Sequence, residues 1–236
     1  MIRFPELETL GVHAAAFSEK ADGDCTWMPS SGHAGPGRES VCAVCGVDPD
    51  ALVLGRQVHG TRIAAVTTAD RGRGSHDSTT AFPETDGLIT NVPSIPLAIL
   101  VADCVPIYLV DSIAGVIGLI HAGRQGTFDG IARVAVETMV RTFDVDPRDI
   151  HALIGPSAGP DRYEVSKELA AAWAEAGLPS RERLIDLWEA NARQLAAAGV
   201  LRKYIHISGI CTIRDVRFFS YRRGDATGRN MALLSL

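Results

Sequence analysis

Three residues of this chain have the types needed for metal chemistry: His59 in QVHG, Cys104 in VADCVP and His121 in IHAGRQGT. One thiolate and two imidazoles form the donor set of a catalytic zinc site that keeps a fourth position open for water or substrate. Each stands where an apolar run gives way to a polar or glycine-containing turn, so its side chain is held firmly and still exposed. A lone His or Cys beside a strand is usually structural, and the set as a whole carries the reading.

The elements that must position these residues can be read around them. LAILVA, VPIYLV and GVIGLI are short apolar runs rich in Val and Ile, the pattern of buried strands. DSIAG, residues 111–115, joins the last two as a hairpin. With Val110 set opposite Val116, antiparallel pairing places Cys104 across from residue 122, one position from His121. A bulge near Pro106 would bring the two directly opposite.

QVHGTRIAAV reads as a strand with its histidine at the start, residues 1–20 as strand, turn and strand, and residues 22–38 as a long loop rich in Gly, Ser and Pro. GRESVCAVCG reads as a helix near 38–46. TFDGIARVAVETMVRTF reads as one helix of about 16 residues, with Ile131, Val134, Ala135 and Met139 on one face and Thr127 or Asp129 as cap. HALIGP is a strand. SKELAAAWAEAG and DLWEANARQLAAAG are amphipathic helices, the second opened by Asp186 with Glu189 three residues on. YIHIS, FFSY and NMALLSL read as strands. Hairpins mixed with helical crossovers predict an α/β (α+β) fold of mixed β-sheets with helices on the outer faces.

The 236 residues, 46% hydrophobic and 22% charged, predict a single globular domain over 1–236 with a large aliphatic core. No apolar run approaches the roughly 20 residues that span a bilayer. MIRFPELETL also lacks the hydrophobic stretch of a signal peptide. A net charge of -5 argues against a nucleic-acid partner, because phosphate neutralisation needs a basic face. Five cysteines, an odd number, do not form a secreted disulfide framework. The expectation is a cytoplasmic monomer or homodimer with no nucleic-acid and no membrane partner. Cys42 and Cys45 form a CxxC inside a helix with no second pair to complete a metal site, so packing is the better reading.

Asp86 in TDGLIT and Asp103 beside the cysteine are carboxylates near strand ends, where a general acid or base, or a partner that orients a ligand histidine, would sit. A turn or cap role is the alternative for each. Arg124, Arg222 and Arg223 have planar donor forks that suit phosphate, with solvated surface charge as the alternative, and Arg217 and Arg229 extend the local basic patch. GPSAG at 155–159 satisfies GxSxG after a strand, with Asp186 and His206 downstream in hydrolase order. Pro160 and DRYEV delay the next helix, and no HGGG-like segment precedes, so a glycine/proline loop near the site is preferred. Walker A, GxGxxG, HExxH and EF-hand patterns are absent.

In order over about residues 56–236, QVHG, TDGLIT, ADCVPIYLVD, GLIHAG, IGPSAGPDRYEV and a tail with SYRR and TGR resemble the YfiH-type (FAMIN-like) purine nucleoside phosphorylase family. Bacterial members of that family are also labelled polyphenol oxidases or peptidoglycan editing factors. The resemblance implies zinc bound by His59, Cys104 and His121, and a layered α/β/β/α sandwich shared with the cytotoxic necrotizing factor deamidases. It implies a purine nucleoside and phosphate as substrates, with phosphorolysis of adenosine, inosine and methylthioadenosine, and adenosine deamination as a second activity. Joined to the reading of the residues themselves, this makes Cys104, His121, Asp103 and Asp86 the candidates to carry the chemistry, and Arg124, Arg222 and Arg223 the candidates to hold substrate.

The chain departs from the family where HAGWRG reads HAGRQG, with Arg124 and Gln125 replacing Trp and Arg. Ser157, Asp161 and Arg162 stand for the usual cysteines of the IGPCIGPCCYEV-like stretch, and HAAAFSEK for the HGFSTR-like segment. Multicopper oxidases need many histidines, often as HxH; seven histidines without one HxH leave copper as an adventitious occupant of a zinc-type site. Two other classes stay open. One is a hydrolase or amidase with Cys104 as nucleophile and His121 as base; the other is a non-enzymatic scaffold that has lost its catalytic surroundings.

Overall fold

Along Leu97–Val101, Leu97, Ile99 and Val101 face one apolar core while Ala98 and Leu100 face another. A strand buried on both faces has no polar side to show, which is why the run is apolar without interruption. The computed structural model describes residues 1–27 and 34–236. In chain order its elements are β1 (Ile2–Arg3), α1 (Pro5–Glu8), β2 (Ala14–Phe17), α2 (Gly37–Cys45), β3 (Val53–Leu54), β4 (Ile63–Ala65), β5 (Gly87–Thr90), β6 (Leu97–Val101), β7 (Val105–Asp111) and β8 (Val116–Ala122). They continue with α3 (Arg124–Phe128), α4 (Ile131–Phe143), β9 (Ile150–Ile154), α5 (Lys167–Glu175), β10 (Ser180–Arg181), β11 (Leu184–Ile185), α6 (Leu187–Ala197), β12 (Ile205–Ile207) and β13 (Asn230–Ser235).

Among the described residues the strands form a five-stranded sheet, β1-β2-β13-β6-β3, a six-stranded sheet, β12-β9-β7-β8-β5-β4, and a small β10-β11 pair. Both large sheets are mixed: β3/β6, β4/β5 and β12/β9 are parallel and the other pairs antiparallel. Three apolar layers glue the stack. Val41, Cys42 and Cys45 of α2 pack on Ala98, Leu100, Met231 and Leu233 of the five-stranded sheet. Phe17, Leu97 and Ile99 meet Tyr108, Ile117 and Leu119 between the sheets, where the buried Tyr108 hydroxyl donates to Ala16 O across the gap at 2.7 Å. Ile107, Leu109 and Ile120 meet Ile131 and Met139 of α4, Trp173 of α5 and Leu195 of α6. The expected α+β architecture with outer helices, layered α/β/β/α, is therefore what the chain adopts. Burial pushes the Cys42 thiol up to about 12 and raises that of Cys45, so the CxxC packs as thiols.

Several local expectations are corrected. The N-terminal strands are joined by a short helix, with Pro5 at its first position where a missing N–H costs nothing. QVHG is not in a strand, because β4 starts only at Ile63. The long helix is two: Gly130, at φ 89, breaks it into α3 and α4, so Asp129 closes α3 and neither Thr127 nor Asp129 caps α4. FFSY is irregular chain outside any strand, although Phe218 is buried. The hairpin pairs Val110 with Ile117 and Asp111 with Val116, so Pro106, not Cys104, lies opposite the position of His121. Asp111 sets that register, since its side chain accepts the N–H of Ile113 (2.8 Å) and Ala114 (2.9 Å) and closes the turn around itself. Of the long loop expected at 22–38, residues 28–33 lie outside the described residues and α2 already begins at Gly37. Among the described residues no helix is long and apolar enough to cross a membrane.

Candidate metal centre and its cavity

One ligand atom each from His59, Cys104 and His121 lies within 4.8 Å of the others. Three donors this close can occupy three corners of a tetrahedron around one ion, given metal–N and metal–S bonds of roughly 2.0–2.3 Å. His121 projects from the end of β8, Cys104 from the turn between β6 and β7, and His59 from the loop before β4. The two imidazole rings meet edge-on, with centroids 4.9 Å apart. Among the described residues this is one group of His, Cys, Asp and Glu with such geometry.

Asp86, fully buried just ahead of β5, organises two of the three ligands. Its carboxylate accepts the backbone N–H of Val58 (3.2 Å), His59 (2.9 Å) and Gly60 (2.9 Å), and Nδ1 of His121 lies 2.8 Å from Oδ1. With Nδ1–H donating to Asp86, Nε2 of His121 is left as the metal-facing nitrogen. His59 stands at φ 64, a left-handed conformation uncommon outside glycine, and the Asp86 hydrogen bonds hold that turn. Burial raises the Asp86 carboxyl, but the His121 hydrogen bond and charge and the backbone donors outweigh it and lower it overall.

Burial likewise pushes the Cys104 thiol up, yet the charge of His121 and hydrogen bonds from His121 and His59 bring it down to about 6. Burial opposes protonation of His121, while the Cys104 thiolate and Asp86 raise it to about 9. Thiolate and imidazolium therefore pair at neutral pH, and a bound cation would displace the imidazolium proton. Gly123 completes the fit. A Cβ there would stand 2.7 Å from Cδ2 of His59 and 3.2 Å from Sγ of Cys104, so the glycine of HAG leaves room for both ligands.

A cavity of about 680 Å³ opens over the cluster, with Arg56, Arg124, Arg222 and Arg229 and the rings of Trp27, Tyr163 and Tyr221 in its walls. The Arg222 guanidinium lies 4.5 Å over the Tyr163 ring and donates to Glu164 O at 2.7 Å. Among the described residues the side chains of Arg56 and Arg124 make no hydrogen bond or ion pair, which leaves their donors free for an anion. Gln57 ties the His59 loop to β6, since its amide donates to Leu100 O (2.8 Å) and accepts from Leu100 N (2.9 Å).

The other residues singled out in the sequence sit differently. Arg223 is outside the cavity wall, its guanidinium committed to the carbonyls of Thr212, Ile213, Asp215 and Phe218 and to Asp225. That corrects its reading as a substrate-facing arginine: charge alone does not show which donors the fold consumes. Arg217 is paired with Asp215 and Glu19. Asp103 reaches the cavity wall, but its carboxylate is engaged by the 212–222 segment and not by the two histidines. Ser157 is buried, accepting from Trp188 Nε1 at 2.7 Å and donating to Gly155 O. Asp186 caps α6 through the N–H of Glu189, and His206 lies exposed on β12, so no serine triad forms. Sequence reasoning missed Trp27, Arg56, Tyr163 and Tyr221. The adjacency of Arg56 to QVHG and of the two tyrosines to the GPSAG and SYRR stretches was the available signal.

Comparison with known proteins agrees in sequence and in fold. A family model described as multi-copper polyphenol oxidoreductase laccase matches residues 33–236. A purine nucleoside phosphorylase YlmD of Geobacillus stearothermophilus is 43% identical over 190 residues, 75% of this chain and 69% of that protein. The purine nucleoside phosphorylase ORF3 of Streptomyces griseus is 35% identical over 229 residues, 93% of this chain and 87% of that protein. The crystal structure of YlmD from Geobacillus stearothermophilus superposes with a TM-score of 0.84 at 35% identity, covering 94% of this chain and 91% of that one. That of the hypothetical protein YfiH of Bacillus licheniformis does so with a TM-score of 0.83 at 33% identity, covering 94% and 92%. At this identity and coverage the chain belongs to the family of YfiH and YlmD, whose model carries the description multi-copper polyphenol oxidoreductase laccase.

Proposed function

We propose that this chain is a zinc-dependent purine nucleoside phosphorylase that cleaves adenosine, inosine and methylthioadenosine with inorganic phosphate and deaminates adenosine at the same centre. The observation that carries the reading is a thiolate and two imidazoles at the floor of a cavity whose walls hold unpartnered arginines. The names of the relatives, purine nucleoside phosphorylase, support it. Bound zinc would supply a Lewis acid that also lowers the pKa of water toward 7. The protein's own part is positioning: Asp86 holds the His121 tautomer and the His59 turn, and the free forks of Arg56 and Arg124 suit a phosphate dianion. Flat faces of Trp27, Tyr163 and Tyr221 suit a purine ring. Guanidinium groups beside the sugar would also offset charge gathering on the departing base.

Copper competes for the same donors, because a soft thiolate with two imidazoles takes either ion and the affinity order ranks Cu(II) above zinc. A single trio serves one ion, however, and among the described residues no further group supplies the additional centres of a multicopper oxidase. A second reading has its own observation: Cys104, His121 and Asp86 also line up as nucleophile, base and orienting carboxylate, with the thiol lowered to about 6. His59 favours the metal, since a second imidazole on the thiolate has no task in such a relay.

Metal analysis and phosphate-dependent release of hypoxanthine from inosine test the proposal together. The expected result is one zinc per chain and turnover that requires phosphate, both lost in Cys104→Ser and His121→Ala. Full phosphorolysis and full zinc content in His121→Ala would overturn it. A metal-free chain inactivated by iodoacetamide would instead establish the cysteine hydrolase.

A further inference from the structure

Two separate segments, 155–160 and 212–222, converge on the residue that precedes Cys104. The carboxylate of Asp103 accepts from Thr212 Oγ1 at 2.7 Å, Ser220 Oγ at 3.0 Å and the backbone N–H of Arg222 at 2.8 Å. Its backbone carbonyl accepts the N–H of Ala158 at 2.9 Å, and Ser157 and Thr212 are in turn bonded backbone to backbone. Asp103 is 5% exposed, so water cannot replace these partners. Its φ of 84 is a conformation a non-glycine residue keeps only when the surroundings enforce it.

From this we infer that Asp103 is a positioning residue: it aligns the cavity wall carrying Tyr221 and Arg222 with the ligand Cys104. The inference rests on the phosphorylase reading for its kinetic consequence, though not for the structural one. A general acid or base needs a free oxygen facing the reacting atoms, whereas both oxygens of Asp103 are occupied, Oδ1 by Thr212 and Oδ2 by Ser220 and Arg222. What the carboxylate fixes is where the Arg222 backbone begins, and therefore where its guanidinium and the neighbouring Tyr221 stand in the cavity wall.

Two substitutions separate positioning from catalysis. Asp103→Gly removes the carboxylate while accepting the positive φ without strain. Asp103→Asn keeps an acceptor for Ser220 and Arg222, and its amide can donate to the Thr212 hydroxyl, which is able to accept. With inosine and phosphate, D103G is expected to raise KM for both by about tenfold or more while kcat stays within about threefold and zinc content is unchanged. D103N is expected to rescue both KM values to within about threefold of wild type. Amide exchange over residues 220–223 should speed up by about tenfold or more in D103G and return to the wild-type rate in D103N. An inactive D103N that folds and holds zinc, or a D103G with wild-type KM, would overturn the assignment. Should the wild-type chain release no purine, the phosphorylase reading fails by itself, and the exchange data decide the positioning role: unchanged rates at 220–223 in D103G would end it.

Discussion

Substituting Gly123 by Ala sets a methyl group between two of the candidate metal ligands while asking nothing of the backbone. Gly123 has φ -71 and ψ 174, an extended conformation open to any residue. The added Cβ would lie 2.7 Å from His59 Cδ2, and carbon–carbon contacts settle near 3.5–4.0 Å, so the ring must retreat by roughly 1 Å. Asp86 pins the backbone of residues 58–60, which leaves the exposed ring as the part that moves. Metal–ligand distances tolerate only about 0.2 Å, and the displacement therefore breaks one of three bonds. Disturbing the partners behind a ligand already costs 10- to 100-fold in affinity, so losing the ligand should weaken zinc by at least about 100-fold, or ~2.7 kcal/mol. Stability of the metal-free protein should fall by less than about 1 kcal/mol, the difference between Gly and Ala ahead of a helix.

The assay is zinc competition against a chromogenic chelator, run beside thermal unfolding of the metal-free proteins. Gly115→Ala is the opposite control. Gly115 has φ 64 and no atom within 4 Å of an added Cβ, so alanine there should cost about 1 kcal/mol of stability and leave zinc affinity alone. Zinc held by Gly123→Ala as tightly as by wild type would falsify the placement of the metal at this trio.

Arg124→Ala should leave Tm within about 1 °C while raising KM for phosphate about tenfold, because its guanidinium supports no other group. Arg223→Ala should do the reverse, stripping a donor from four carbonyls and Asp225 and lowering Tm by about 5–15 °C; an unchanged Tm would show that this hub holds nothing. Asp86→Asn keeps one acceptor oxygen where two serve four donors, so zinc affinity measured by competition should drop about 10- to 100-fold and Tm of the metal-free protein should also fall. The hydrogen bond from Lys20 foremost, helped by Ser220 N–H and Arg223, holds the Asp225 carboxyl down at about 2. Its folded-state value is depressed, so its contribution is present above the ordinary value of about 4 and lost as pH falls from there toward 2. Thermal scans between pH 5 and 2 should show Asp225→Asn less stable than wild type at the upper end, with the gap closing on acidification.

The apolar runs around residues 97–120 revealed the central strands because double burial leaves only one pattern to read. Nearness of Cys104 and His121 followed from the hairpin, although its register was off by one: hydropathy does not distinguish Asp111 as the last residue of the strand from the first of the turn. His59 was harder to place. Local sequence suggested a strand, and only the order of motifs joined it to the other ligands. The break at Gly130 was hidden by helical periodicity on both sides, and FFSY has strand composition but spends its hydrogen bonds on side chains of Asn230 and Asp225. Asp103 was visible as a carboxylate near the site, yet its partners lie 109 and 119 residues away, and a role made of such distant donors leaves no local trace.

The candidate ligand trio and the cavity wall that holds Tyr221 and Arg222 are also built by different parts of the chain. His121 stands near the end of β8, Cys104 in the turn that leads into β7 and His59 in the loop before β4, all three strands belonging to the six-stranded sheet. The 211–229 segment leads instead into β13, which must lodge between β2 and β6 in the other sheet. A molecule in which β13 stays lodged but the segment before it has come loose keeps all three candidate ligands while Tyr221 and Arg222 have left. Linkage then acts unevenly: metal adds stability against global unfolding in proportion to the logarithm of its concentration, but it binds the native and the locally opened forms nearly alike. Saturating the metal cannot hold that flap shut; only a ligand that touches both the trio and the tail can.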